Sequence, residues 1–232
     1  MSVMPTLKLD WCSHAAAQYA VAHWHYSKSM PTPPVVKIGA WEDDHFIGCV
    51  IFSRGANNNL CKCYRVAMTE IAELTRVALR SHETPTSRIV RIAVRLCCRA
   101  NPGLRLLVSY ADPNHGHHGG IYQALGWVYD GDTGTDFAAI DRAGRRWHSR
   151  QVSRTGVKRQ YGSLRRVPKH AECTLVPLLG KHRYLYPLDA AMRAQILPRA
   201  RPYQKRASSI LADASTVQVE ESGAAPTEAL IQ

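Results

Sequence analysis

The stretch from Leu104 to Gly131, LRLLVSYADPNHGHHGGIYQALGWVYDG, most constrains what this chain can fold into. It opens on an apolar run, Leu104 to Val108, whose length and flanking glycine and proline predict a buried strand. Ser109 and Tyr110 follow as polar switch points, and the proline of Ala111-Asp112-Pro113 ends the strand. A loop with His115, His117 and His118 among Gly116, Gly119 and Gly120 comes next. Ile121, Tyr122 and Leu125 then form one apolar helical turn that Gly126 stops, and Trp127-Val128-Tyr129 begins another strand. Strand, polar crevice, glycine-rich turn, short helix and strand describe an α/β layer with a site where the strand ends.

The rest of the chain can be placed around that segment. Leu7 to Asp10 reads as a first strand, and Ser13 as the N-cap of a helix through Ala15-Ala16-Ala17, Tyr19, Val21 and Trp24. That helix runs into His23-Trp24-His25-Tyr26-Ser27-Lys28 and stops at Met30-Pro31. Titratable side chains gathered there are site candidates, or else they only complement the helix dipole. Val35 to Trp41 and His45 to Phe52 form a hairpin around Glu42-Asp43-Asp44, with Gly48 marking a bulge or close backbone approach. Glu70 to Leu79 alternates as a central strand, Ile71, Glu73, Thr75 and Val77 on one face and Ala72, Leu74, Arg76 and Ala78 on the other. Arg76 within it calls for an ion pair or an anionic ligand, since a buried unpaired guanidinium costs several kcal/mol. Thr86 to Arg99 is a helix opened by Thr84-Pro85-Thr86-Ser87, with Arg88, Arg91, Arg95 and Arg99 on its outer face.

Tyr122-x-Ala-Leu-Gly-Trp resembles the Tyr-x-x-x-Gly-Phe close of the acyl-CoA-dependent N-acetyltransferases of the GNAT superfamily. That resemblance implies an α/β (α+β) fold with a central mixed, twisted sheet flanked by helices. It also implies that a loop and a helix N-terminus hold the pyrophosphate of an acyl-CoA. Here the loop, Arg80 to Thr86, has no glycine, which leaves Ser87, Arg88 and Ser109 as the positions for a coenzyme.

After Gly131 come a hairpin, Phe137 to Ile140 and Arg145 to Val152, and a long basic run. Between Arg142 and His170 there are ten lysines and arginines and no acid, with Trp147 and Tyr161 among them. A solvated face accounts for many charge runs. Ten cations without a counter-charge point instead to phosphate neutralisation, with Arg145, Arg146, Arg165 and Arg166 as contacts and Trp147 available for stacking. The formal charge of +12 and a pI near 9.6 agree, and they favour nucleic acid over a membrane surface. No apolar run reaches the ~20 residues of a membrane span, and no signal-peptide core precedes Trp11. Seven cysteines without secretory context favour reduced thiols, and Cys61-x-Cys63 and Cys97-Cys98 lack zinc spacing. Leu175 to Leu179 and Lys181 to Leu188 close the sheet as a last strand, followed by a helix from Ala190 to Ile196. One domain is expected over residues 1–204, with 205–232 as a disordered tail.

A closer resemblance rests on four pieces taken together. They are His25-Tyr26-Ser27-Lys28-Ser29-Met30-Pro31, Glu73-Leu74-Thr75-Arg76-Val77, Tyr110-Ala111-Asp112-Pro113 with Gly116-His117 to Trp127, and Gly180-Lys181-His182-Arg183-Tyr184. From about His25 to Leu188 the chain is similar to the Mom-type phage DNA modification proteins, the bacteriophage Mu Mom family. The resemblance implies addition of a carbamoylmethyl (methylcarbamoyl) group to adenine N6 in double-stranded DNA, in the cytoplasm of the bacterial host, shielding phage DNA from restriction. It implies a flipped adenine, an acyl-CoA-type donor and iron. Adenine N6 is a poor nucleophile, so the base must be extruded and an N6 proton removed or shared. Asp112 would accept that proton or bind the amino group, and Tyr122 would be the general acid. His25 and Tyr26 would close the crevice, and Arg76 would hold an anionic donor. A metal would fall first to His25 with Asp112, then to His117. Structural readings stand beside these: Tyr122 as a core tyrosine, Asp112 as a turn former, the histidine loop as solvated. An N-acetyltransferase acting on a protein or small-molecule amine and a non-catalytic DNA-binding protein are the rival functions, and a second copy of the chain is a further candidate partner.

Overall fold

A seven-stranded sheet runs through the computed structural model in the order β1-β2-β3-β4-β5-β12-β6. The structure describes residues 4–205 apart from 56, 58 and 161, so the expected tail beyond 205 and Tyr161 lie outside the described residues. β1 (Leu7–Trp11), β2 (Val35–Glu42), β3 (His45–Ser53) and β4 (Ile71–Leu79) pair antiparallel in succession. β5 (Leu106–Ala111) pairs parallel with β4, and β12 (His182–Pro187) lies antiparallel between β5 and β6 (Val128–Asp132). The sheet is therefore mixed, as expected.

Helices cover both faces. α3 (Thr86–Ala100) lays Ile89, Val90, Ala93, Val94 and Cys97 on one face, and its four arginines stay exposed. α4 (Gly120–Gln123) adds Tyr122 to that layer, with Trp127, Tyr129 and Tyr184. Full burial of side chains this large contributes about 1.5–3 kcal/mol apiece. On the other face α1 (His14–Trp24) packs Ala17, Ala20 and Val21 against β3, and Ser13 caps it by accepting the Ala16 N–H. α5 (Ala190–Ile196) packs Met192 and Ile196 against Leu106, Val108 and Leu185. A short α2 (Leu60–Cys63) joins that cluster. Among the described residues no helix is long and apolar enough to cross a membrane.

Three sequence expectations change. First, β4 does not alternate throughout. Ile51 pairs with Arg76 and Phe52 with Leu74, so Thr75 is an extra residue in a bulge. Val77 consequently joins Ala72 and Leu74 in the α3 core, and Arg76 turns to the face of Glu73. Second, β5 extends to Ala111 and takes in Ser109 and Tyr110, because β12 pairs with it as far as Ala111. Third, the last strand is two. β11 (Cys173–Leu178) leaves the main sheet and joins a small sheet with β7 (Asp136–Asp141) and β8 (Arg146–His148), in the order β11-β7-β8. β9 (Val157–Gln160) and β10 (Ser163–Arg166) form a separate two-stranded ribbon. Residues between β6 and β12 are thus an insert. Its two ends are tied at one neck, Thr133 N–H to Lys181 O at 2.9 Å and Lys181 N–H to Thr133 Oγ1 at 2.8 Å.

Candidate active site

The two parallel strands at the centre come apart. Their pairing ends at Leu74 opposite Ser109, yet β4 continues to Leu79 and β5 to Ala111. A fork opens there, beside the β4 bulge. Ser109 sits at its base with its hydroxyl 2.8 Å from Leu74 O and 2.7 Å from the Tyr122 hydroxyl. Ser109 has one proton, so when it donates to the carbonyl the phenol must donate to Ser109. Tyr122 is buried, which holds its hydroxyl protonated, with a pKa near 12. Gly126 positions this residue. At φ +71° it lets Trp127 N–H return to Tyr122 O at 3.0 Å and its own N–H to Gln123 O, ending the helix in a Schellman turn.

The end of α1 closes the fork from one side. His25 is 8% exposed, and burial, with the charge of Arg76 adding to it, depresses its pKa to about 3, so the ring is neutral. Its Nδ1 accepts the Ser27 N–H at 3.1 Å, which puts the ring proton on Nε2. Tyr26 stacks on His25 at 4.4 Å between centroids and lies 4.2 Å from His115. Asp112 follows β5 directly. It accepts the Asn114 N–H at 3.0 Å and pairs with Lys181 Nζ at 3.1 Å and with His115 at 3.5 Å. Although burial opposes it, the Asn114 and Lys181 bonds win and hold Asp112 below the usual carboxylate range. It is a turn-forming, ionised carboxylate.

Two functional candidates on this face escaped the sequence reading. Glu73, one residue before the fork, is driven up to about 7 by burial, partly offset by the charges of Arg76, Lys181 and Arg150. It packs against Gly55, where a Cβ would lie 2.3 Å from Oε2. Lys181 was visible only as part of a family motif, although it joins the insert's neck to Asp112. Arg76 is held by carbonyls, Nε to Ser29 O at 3.1 Å and Nη1 to Thr75 O at 2.7 Å, so α1's exit loop is pinned to the bulge. His25, Tyr26, Arg76, Asp112 and Tyr122 therefore surround one fork, as the charge felt by each from its neighbours reflects.

The implied cofactors fit this arrangement poorly. Ser87 and Arg88 lie in the first turn of α3, where a pyrophosphate would be expected. Two of the backbone donors leading into that turn are already taken. Glu42 accepts Thr84 N–H at 2.6 Å and Glu83 N–H at 3.1 Å, so a carboxylate stands where an anionic diphosphate would have to bind. Among the described residues no group of three or more His, Cys, Asp or Glu side chains could hold a metal. His25 Nδ1 is occupied by Ser27, and Asp112 and His117 do not complete a set with it.

The basic residues lie on the insert. Arg146, Arg165 and Arg166 are exposed. Arg145 and Trp147 are not free, because Asp141, just outside the acid-free run, accepts from Arg145 Nε and Trp147 Nε1, both at 2.9 Å. The Arg145 guanidinium lies 5.4 Å from the centre of the Trp147 ring.

The order β4, loop, α3, β5, α4, β6 around a forked parallel pair defines a GNAT-like architecture. Residues 6–205 match the model of the Mom protein family, and the chain belongs to that family. No curated protein matches. Similar solved structures include a probable acetyltransferase from Staphylococcus epidermidis, 8% identical over 79% of this chain and 100% of that one, TM-score 0.42. FeeM, an N-acyl amino acid synthase from uncultured soil microbes, is 12% identical over 83% of this chain and 95% of that one, TM-score 0.43. The aminoglycoside 6'-N-acetyltransferase from Enterococcus faecium is 10% identical over 78% and 97%, TM-score 0.43. Likenesses this distant carry no argument about substrate.

Proposed function

We propose that this chain transfers a carbamoylmethyl group to the N6 amino group of an adenine flipped out of double-stranded DNA, inside a bacterial host and to the benefit of phage DNA. The observation that carries the reading is the meeting of a buried carboxylate with a cationic insert. Lys181, at the neck of the insert, pairs with the buried Asp112 at 3.1 Å, and the charges of Arg150 and Lys181 also act on the half-buried Glu73. Family membership supports the same direction.

In this mechanism the duplex lies on the insert and the extruded base enters the fork against Tyr26, which is already stacked on His25. Asp112, ionised and fixed by Lys181 and Asn114, accepts one N6–H and orients the amine. The N6 lone pair attacks the donor's electrophilic carbon, an N–C bond forms, and the bond to the leaving group breaks. Glu73 takes the proton released from N6, a role suited to a carboxylate poised near 7. Tyr122 turns its proton from Ser109 to the leaving group on the α3 side, and the Ser109 hydroxyl then donates to the phenolate until it is reprotonated. A diphosphate-bearing coenzyme at α3 has no part in this scheme because Glu42 holds that position.

The test is mass spectrometry of nucleosides from DNA of bacteria expressing the chain. A deoxyadenosine heavier by the carbamoylmethyl group is expected. Unmodified deoxyadenosine at full expression of folded protein would overturn the reading.

A further inference from the structure

Among the described residues the ribbon of β9 and β10 pairs with no other strand. A lone two-stranded hairpin is marginal in water, so one that belongs to neither sheet needs a reason. Its register sets Lys158 opposite Arg165, Arg159 opposite Leu164, and Val157 opposite Arg166. Side chains alternate along a strand, so Val157, Arg159, Leu164 and Arg166 share one face and Lys158 and Arg165 lie on the other. Lys158 Nζ donates to the carbonyls of Arg150 and Val152, which turns its face towards the body of the insert. The first face is left outward. Leu164 on it is 68% exposed and Val157 42%, with Arg159 and Arg166 exposed beside them.

Two properties of this face select a partner. Arg159 and Arg166 stand on it with no acid anywhere between Val157 and Arg166, so it gains from a polyanion. An exposed leucine between arginines suits a surface that offers phosphates at its edges and apolar patches between them. Size then separates the two grooves of a duplex. Strands ~4.8 Å apart, with their side chains, fill a slot about as wide as the ~12 Å major groove and too wide for the ~6 Å minor groove. Adenine N6 and the thymine methyl both lie in the major groove.

We propose that the β9–β10 ribbon enters the major groove of duplex DNA, with Arg159 and Arg166 on the phosphates and Leu164 against the base edges. The proposal rests on the reading of DNA as substrate and names the surface that seats it.

The test is duplex binding by fluorescence anisotropy, read apart from modification. Methyl green, which occupies the major groove, should weaken binding by the unaltered protein at least tenfold, and netropsin, which fills the minor groove, should not. Arg159→Gln with Arg166→Gln should lower the log–log salt slope by about two, one per lost phosphate contact. Leu164→Gln should weaken binding with the slope unchanged, an effect a charge patch alone would not show. All three side chains are exposed, so melting temperatures should hold. If a variant fails to fold, the dye competition on the unaltered protein decides alone. Competition by netropsin only, an unchanged salt slope in the double variant, or binding to anionic lipid vesicles without binding to DNA would overturn the proposal. Ribbon-dependent binding without modified adenine would leave it standing and remove the enzymatic reading instead.

Discussion

The carboxylate of Glu42, at the end of β2, accepts the backbone N–H of Thr84 at 2.6 Å and that of Glu83 at 3.1 Å. The chain thus supplies its own anion to the turn that leads into α3. Acetyl-CoA and free CoA should therefore bind weakly or not at all, read as the absence of a melting shift at saturating ligand. Removing the carboxylate with Glu42→Ala frees both donors and should raise affinity for a diphosphate. A clear shift with the unaltered protein would show that the diphosphate displaces Glu42.

In the proposed mechanism Glu73 makes the reaction pH-dependent. Its carboxyl must be ionised to accept a proton, so modification should rise as pH passes about 7 and level off above. Asp112, held below the usual carboxylate range, adds no limb in that interval. Glu73→Gln should remove the limb together with most of the activity. A limb that survives the substitution would assign it to another group.

The same residue links pH to stability. Its folded pKa, about 7, lies above the ordinary 4.5, so between the two values the folded chain binds more protons than the unfolded one. Stability contributed by the neutral, half-buried carboxyl is present below the ordinary value and lost as pH rises through 7. Glu73→Gln should escape that loss and be more stable than the parent above pH 7 by roughly 2–3 kcal/mol. Melting curves between pH 4 and 8 check the sign.

Asp112→Asn keeps an acceptor for the Asn114 N–H but gives up the charge that holds Lys181. Tyr122→Phe removes a hydroxyl and leaves Ser109 bonded to Leu74 O. Each should lower modified adenine by about two orders of magnitude, the range of a lost general acid or base, with melting and duplex binding little changed. Nucleoside mass spectrometry beside thermal melting separates that outcome from a structural one, in which activity and melting point fall together.

Gly119 and Gly116 both have positive φ, +84° and +72°, but only the first is crowded. A Cβ on Gly119 would lie 2.3 Å from the ring of the buried Tyr184, while Gly116 has nothing within 4 Å. Gly116→Ala should cost about 1 kcal/mol for the backbone alone. Gly119→Ala should cost roughly 2–4 kcal/mol once ring displacement is added. Equal losses in denaturant unfolding would mean that the Tyr184 ring moves freely.

The succession of the main elements, the Ser13 cap and the places of His25, Tyr26, Asp112 and Tyr122 at element ends were legible because periodicity and punctuation are local. Glu73 was not. In a strictly alternating β4 it lies on the face opposite Arg76, and only the bulge at Thr75, a matter of pairing with β3, brings the two together. Glu42 escaped for a similar reason, being about forty residues from the loop it caps. The acid-free run between Arg142 and His170 was correctly counted, but Asp141 beside it neutralises Arg145, which a count inside the run does not include.

The neck at Thr133 and Lys181 has a consequence for how this scaffold can vary. Both ends of the excursion from the main sheet leave through one pair of residues, so its length and content can change while β5, β12 and β6 keep their register. With DNA seated on the insert as proposed, target choice can then evolve as an exchangeable cassette. The hinge residue of that cassette, Lys181, is itself bonded to Asp112, so a swapped cassette still reports to the same chemical centre through one lysine.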